Sequence, residues 1–167
     1  MRKYGKKKDA EDFDRFYTLD CETDPFLFGR EPRPFAWGLY CNLSGQYWHT
    51  WGKKCTAEIV AILKGLPPGI IYAHNGGKFD YHFLFDFIAK GEEVMIISGR
   101  VARAKLFRHE IRDSINILPV SLAKMHKTKI DYGLMEAKVR EKHREEIQSY
   151  LKDDCTNLAH IRPFTEI

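Results

Sequence analysis

Three short stretches of the chain place acidic side chains where they could hold a metal ion. Asp20 and Glu22 stand two apart in Phe16-Tyr17-Thr18-Leu19-Asp20-Cys21-Glu22, a run rich in strand formers. Side chains two apart on a strand share a face. Two carboxylates so placed repel, and burying them is costly unless a cation sits between them. An exposed edge bearing two solvated acids is the reading that this spacing alone leaves open. Asp80 closes the segment Asn75-Gly76-Gly77-Lys78-Phe79-Asp80, which comes after a short apolar run ending at His74. The paired glycines permit a tight turn and close backbone approach. Asp80 is expected in the first turn of a helix, where the helix dipole favours an acid, so capping alone would also explain it. The third stretch is Tyr150-Leu151-Lys152-Asp153-Asp154. Tyr150 and Asp154 are four apart and share the apolar face of an expected helix, whereas Asp153 should point to solvent. A carboxylate on a core-facing stripe needs a partner. The plainer alternative is a core tyrosine whose hydroxyl reaches Asp154.

The elements that must position these residues can be read from patterning. Strands are expected at 16–22, 35–41, 46–51 and 70–74, with further strands at 94–98, 101–107 and 110–117, and Ser98-Gly99-Arg100 turning the chain between the first two of these. Thr56 to Leu66 has helical spacing, with Ile59, Ile62 and Leu63 on one face, Thr56 as a cap and Pro67-Pro68-Gly69 as the stop. A second helix is expected from Phe79 to Lys90, a short one from Pro119 to His126, and a long one from Glu141 to Ile161 with Ile147, Tyr150, Leu151, Cys155 and Leu158 as its buried stripe. The sum is an α/β fold, a mixed sheet flanked by helices. Residues 1–15 read as an arm, basic and then acidic, and 16–167 as one domain.

Composition narrows the class. With 167 residues, 44% apolar and 30% charged, the chain is long enough for one good core and has the make-up of a globular protein. No apolar run approaches the roughly 18 residues of a membrane span, so no membrane partner is expected. The four cysteines form no Cys-x-x-Cys pair and the seven histidines are scattered, which points to reduced thiols in a cytoplasmic protein and away from a disulfide scaffold or a zinc site. The formal charge of +4 suits a polyanionic partner as well as it suits simple solubility.

Taken together and in order, the motifs resemble the 3′→5′ proofreading exonuclease of family B DNA polymerases, a member of the DEDD superfamily with a ribonuclease H-like fold. Asp20-Cys21-Glu22 matches the first motif, Asn75 to Asp80 the second, and Tyr150 to Asp154 the third. Tyrosine four before the last Asp marks the tyrosine-type branch; the histidine-type branch would want His where Ser149 stands. The likeness is greatest to the protein-primed subgroup. Tyr72-Ala73-His74-Asn75 with Phe79-Asp80 is similar to its second motif, and Asp113-Ser114-Ile115-Asn116-Ile117-Leu118-Pro119 to its single-strand-binding segment, with Ile115 where Leu is usual. Lys127-Thr128-Lys129-Ile130, followed by Asp131-Tyr132, resembles its Lys-x-x-hydrophobic element. The likeness covers roughly residues 16–160.

The resemblance implies metal-dependent hydrolysis of single-stranded DNA from its 3′ end, with two Mg²⁺ or Mn²⁺ ions roughly 4 Å apart. It implies that Asp20 bridges both ions, that Glu22 and Asp154 complete one site, that Asp80 holds the other, and that Tyr150 orients the nucleophile. Lys127 would assist near the phosphate or the third motif, although a surface lysine in a basic stretch (Lys124, Lys127, Lys129) is an equal reading. Thr23, Tyr72, His74, Asn75, Phe79, Phe83, Ser114 and Ile115 would grip the terminal nucleotides, aromatic faces stacking on bases without regard to sequence. For Phe83 a core position is favoured. The partners expected are a single-stranded 3′ end and a DNA polymerase domain or subunit, with phage, plasmid or viral origin open. The chain carries none of the motifs of polymerase synthesis, so it is expected to be an excised exonuclease domain or a free-standing nuclease. Two other functions stay open: an exonuclease of the same superfamily that trims RNA, and a module that binds single strands or docks on a polymerase without cutting.

Overall fold

The computed structural model describes residues 14–25, 29–88, 94–117, 119 and 128–161. Most of the expected arm, the expected helix after Pro119 and Lys127 lie outside them. Seven strands form one mixed sheet: β1 (Phe16–Thr23), β2 (Pro34–Cys41), β3 (Tyr47–Trp51), β4 (Ile70–Ala73), β5 (Met95–Ile97), β6 (Arg100–Leu106) and β7 (His109–Asp113), in spatial order β3-β2-β1-β4-β7-β6-β5. β1, β4 and β7 run parallel in the middle, and antiparallel hairpins extend the sheet on both sides. No helix among the described residues is long and apolar enough to cross a membrane.

Each face of the sheet has its own helix. Helix α1 (Cys55–Gly65) buries Ile59 and Leu63 against Leu19, Trp37 and Leu39 on one face. Helix α2 (Arg144–Ala159) crosses the other, burying Ile147, Tyr150, Leu151 and Leu158 over β1 and β2. Both stripes are those expected from helical periodicity. All four cysteines are free and buried.

Several local expectations give way to tertiary contacts. Thr56 does not cap α1: the helix starts one residue earlier, and the Thr56 hydroxyl accepts from Trp37 Nε1 at 2.9 Å. The helix expected from Phe79 is instead a 3₁₀ segment, Asp80–Phe87, and Ile88 is already extended and bridged to Leu106. Aromatic residues are indifferent helix formers, and Tyr81 is anchored sideways. Its hydroxyl accepts from Ala73 N–H at 2.9 Å and donates to the Arg112 carbonyl at 2.6 Å, tying the segment to β4 and β7. The strand expected to run to Ile117 ends at Asp113, whose carboxylate caps a 3₁₀ turn at Ser114–Asn116 by accepting from Ile115 N–H. The last helix is preceded by a 3₁₀ turn, Arg140–His143, and starts at Arg144. The Ser98-Gly99 turn forms as expected, both residues at positive φ between the paired Ile97 and Arg100.

Candidate metal site

Alternation along β1 turns Thr18, Asp20 and Glu22 toward α2 and turns Leu19 and Cys21 into the opposite core. The Thr18 hydroxyl donates to the Cys155 carbonyl at 2.7 Å, pinning α2 to β1 two residues before Asp20. Close approach also requires Gly38, the cross-strand partner of Asp20: a Cβ there would stand 3.0 Å from both Cys155 Sγ and Leu151 Cγ. The helix therefore delivers Asp154 to the strand pair. Oxygen atoms of Asp20, Glu22 and Asp154 lie within 4.8 Å of one another, with Glu22 and Asp154 buried and Asp20 half-buried. This group can hold a divalent cation.

Asp80 stands beside this trio and is not one of it. The parallel ladder between β1 and β4 ends at Thr18 and Tyr72, and past it the Cys21 N–H donates to Asp80 Oδ1 at 3.0 Å. The amide bonded is thus the one between Asp20 and Glu22. Burial pushes the Asp80 carboxyl up to about 6, against the hydrogen bonds that favour its charge, and Asp113 adds to the rise. All four acids bear on a single thiol. Burial holds Cys155 well above the usual thiol range, and the charges of Asp20, Asp154, Asp80 and Glu22 raise it further.

Tyr150 is buried with Phe35, Ala36, Met135 and Ile147, so the plainer reading of it as a core aromatic is partly right. Its hydroxyl stands 3.2 Å from that of Tyr132, an exposed residue. Burial raises the Tyr150 phenol first; Tyr132 and then the charges of Asp154 and Glu22 raise it further. It therefore stays protonated next to the acids. Asp153 faces away from them, as expected, but is not merely solvated: it accepts from the Thr128 hydroxyl at 2.9 Å.

The turn between β4 and Asp80 is held from the far side of the sheet. Asn75 adopts a left-handed conformation, φ 61°, and its side chain accepts from Arg100 Nη1 at 3.3 Å. Gly77 N–H donates to Asp113 Oδ2 at 3.1 Å, and a Cβ at Gly77 would come within 2.1 Å of the Val101 carbonyl oxygen. Arg100 lies 3.9 Å from the buried Asp113 carboxylate. Two of the expected strand contacts, Tyr72 and Ser114, turn inward. Tyr72 is buried edge-on against Phe16 at 5.8 Å and packs with Leu158, a tertiary contact that no local pattern reveals. Ser114 is fully buried, its hydroxyl 2.9 Å from His74 Nδ1. Thr23 is buried at the bulge that ends β1. His74, Asn75, Phe79, Phe83 and Ile115 are half-buried, with Phe79 and Phe83 edge-to-face at 5.4 Å.

Sequence reasoning assigns no role to Tyr81 or Asp24, and names Asp113 only as the start of the expected single-strand-binding segment, not as a cap or a partner of the Gly77 turn. Asp before Ser is a capping pattern that would have marked Asp113 had the strand not been expected to run on to Ile117. Asp24 binds Arg30 at 2.5 Å and also Arg140, whose guanidinium lies 4.3 Å over the Phe35 ring. That pairing links the exit of β1 to the approach of α2, and only the tertiary structure reveals it.

A mixed sheet with parallel central strands, a helix on each face and acids at the end of its β1 strand belongs to the ribonuclease H-like α/β class. No protein-family model matches the chain. Over 143 residues, 84% of its length, it is 45% identical to the DNA polymerase of Enterobacteria phage PRD1, of which these residues are 25%. Phi29 DNA polymerase complexed with single-stranded DNA superposes with a TM-score of 0.66 at 20% identity, over 87% of this chain and 30% of that one. The family B DNA polymerase of the archaeon Pyrobaculum calidifontis does so with a TM-score of 0.67 at 14% identity, over 87% and 24%. At these identities the structural likeness is one of fold. In sequence the chain is similar to part of a phage DNA polymerase, and in fold to phi29 and family B DNA polymerases, as expected from the resemblance to the exonuclease region of their protein-primed subgroup. It spans about a quarter of the sequence relative and under a third of the solved neighbours.

Proposed function

We propose that this chain is a 3′→5′ exonuclease that hydrolyses the terminal phosphodiester of single-stranded DNA with two Mg²⁺ or Mn²⁺ ions. The observation that carries this reading is the convergence of Asp20, Glu22 and Asp154 within 4.8 Å, from a strand near one end of the sequence and a helix near the other. The donor set fits such ions: its contacting atoms are all carboxylate oxygens, and the adjoining Cys155 thiol stays protonated. Asp20, Glu22 and Asp154 would hold one ion, and Asp20 with Asp80 the other. The ions would supply a hydroxide at neutral pH and stabilise charge on the leaving 3′ oxygen.

The chain's own groups do the positioning. Tyr150, protonated and beside Asp154, donates a hydrogen bond that orients the attacking water. Asp80 is held through Cys21 N–H and by the turn that Gly77 and Asp113 lock. The half-buried Phe79, His74, Asn75 and Ile115 offer the terminal bases and sugars stacking and polar contacts, Phe83 backs them from the core against which it packs, and Lys127 would act near the phosphate or the third motif. Tyr72 and Ser114 support these from behind. The single-stranded DNA captured by a neighbour of the same fold favours DNA over RNA as substrate.

The test is an end-labelled oligonucleotide in Mg²⁺, in Mn²⁺ and in chelator, as DNA and as matched RNA. Wild-type protein should shorten the DNA from its 3′ end, and only with metal. Asp20→Ala and Asp154→Ala should each lower the rate by at least about 10³-fold with the fold intact by circular dichroism. Robust digestion by either variant would remove this reading. Faster RNA trimming would transfer it to RNA, and binding without products would leave a non-cutting module.

A further inference from the structure

The sheet face that carries Asp20 also carries Tyr47. Gly38 pairs with Asp20 on β1 and with His49 on β3, and strand alternation sets Tyr47, Gly38 and Asp20 on the side that α2 covers. The hollow left by the missing Gly38 side chain is filled by Tyr47: a Cβ at Gly38 would stand 2.7 Å from Tyr47 Oη. The ring is held from two sides, stacked on His49 at 5.9 Å and beneath Lys152 Nζ at 5.8 Å. The hydroxyl itself is buried, and among the described residues it has no hydrogen-bond partner. Such a group in a native fold calls for an explanation, because buried hydroxyls are almost always satisfied. It sits over Gly38, whose cross-strand partner on the same face is Asp20. A tyrosine hydroxyl carries its proton at neutral pH and so is available as a donor.

We propose that Tyr47 is a positioning residue for Asp20: its hydroxyl donates to the Asp20 carboxylate, directly or over one water, once that carboxylate turns to a bound cation. The inference rests on the reading of Asp20, Glu22 and Asp154 as a metal site. A protonated phenol is a weak ligand beside three carboxylates, but it can fix the orientation of the ligand that the resemblance makes common to both ions. Partners of this kind change metal affinity by about 10- to 100-fold when removed.

Tyr47→Phe keeps the ring and its stacking and deletes only the donor. The full chain is titrated with Mn²⁺, free ion being read by electron paramagnetic resonance, and thermal midpoints are taken in chelator. The expected result is Mn²⁺ binding weakened about tenfold, a midpoint in chelator equal to or above wild type, and an unchanged KM for single-stranded DNA. Equal Mn²⁺ affinity in the two proteins would overturn the inference while leaving the metal site standing. A midpoint in chelator that falls with affinity would also overturn it, since that is the signature of packing. Wild-type protein that binds no Mn²⁺ would instead sink the reading of the acids, and the inference with it.

Discussion

At the residue scale, the site is a set of like charges held together by the fold. Asp20 and Glu22 are brought to the same side by strand alternation, and Asp154 by its place four residues after Tyr150 on the buried stripe of α2. All three are legible in the sequence because these periodicities are local. The acid at Asp80 is legible as part of a motif, but its attachment beside the trio is not: the bond from Cys21 N–H exists only because β4 stops short of it, which is a property of sheet register. The protonated state of Tyr150 leads to a prediction at this scale. A phenol held up by burial and by neighbouring carboxylates acts as a donor and not as a base. Tyr150→Phe should therefore slow hydrolysis roughly 100-fold without abolishing it, and should leave Mn²⁺ affinity near wild type. Single-turnover rates on labelled DNA would show this. An unchanged rate would dismiss Tyr150 from the chemistry.

At the element scale, the turn between β4 and the 3₁₀ segment holds Asp80 in place. The double glycine signals close approach from the sequence alone, and the element that approaches is β6: the Val101 N–H donates to the Gly77 carbonyl at 3.2 Å, and the Val101 carbonyl leaves no room for a Cβ. Gly77→Ala should destabilise the protein by at least about 2 kcal/mol, measured by urea unfolding, and should lower nuclease activity even where the variant is folded. An alanine variant of wild-type stability and rate would show that the turn is not tight. The segment from Asp80 to Phe87 has the apolar spacing of an α-helix but winds as 3₁₀, because Tyr81 decides the winding. The bonds of its hydroxyl to β4 and β7 lie far from it in sequence, and no local propensity encodes them. The same holds for Thr56, which would cap α1 had Trp37 not claimed its hydroxyl.

At the scale of the whole molecule, the class of fold is legible from alternating strand and helix patterns, whereas the strand order is not. Nothing local says that β7 lies beside β4 or that α2 crosses β1 at Thr18. The fold also makes a prediction away from the site. His109 opens β7, is buried edge-on against Tyr17 at 5.5 Å, and its Nε2–H donates to the Leu63 carbonyl at 2.8 Å, joining α1 to the sheet. Burial lowers its pKa below the usual 6.5. The folded state therefore disfavours the protonated ring, so this contribution to stability is full above the unfolded value and is lost as pH falls through the folded one. His109→Gln keeps an N–H donor and removes the titration. Its stability relative to wild type should rise between pH 7 and pH 5, read from denaturant midpoints at both; a difference independent of pH would contradict this.

The central claim is that carboxylates from β1, α2 and the segment after β4 meet around cations. Crystals soaked in Mn²⁺ and measured for anomalous scattering test it most directly. Two peaks about 4 Å apart are predicted, one bounded by Asp20, Glu22 and Asp154 and the second between Asp20 and Asp80. A map with no manganese among these four side chains, from a protein that still degrades DNA in Mn²⁺, would contradict it.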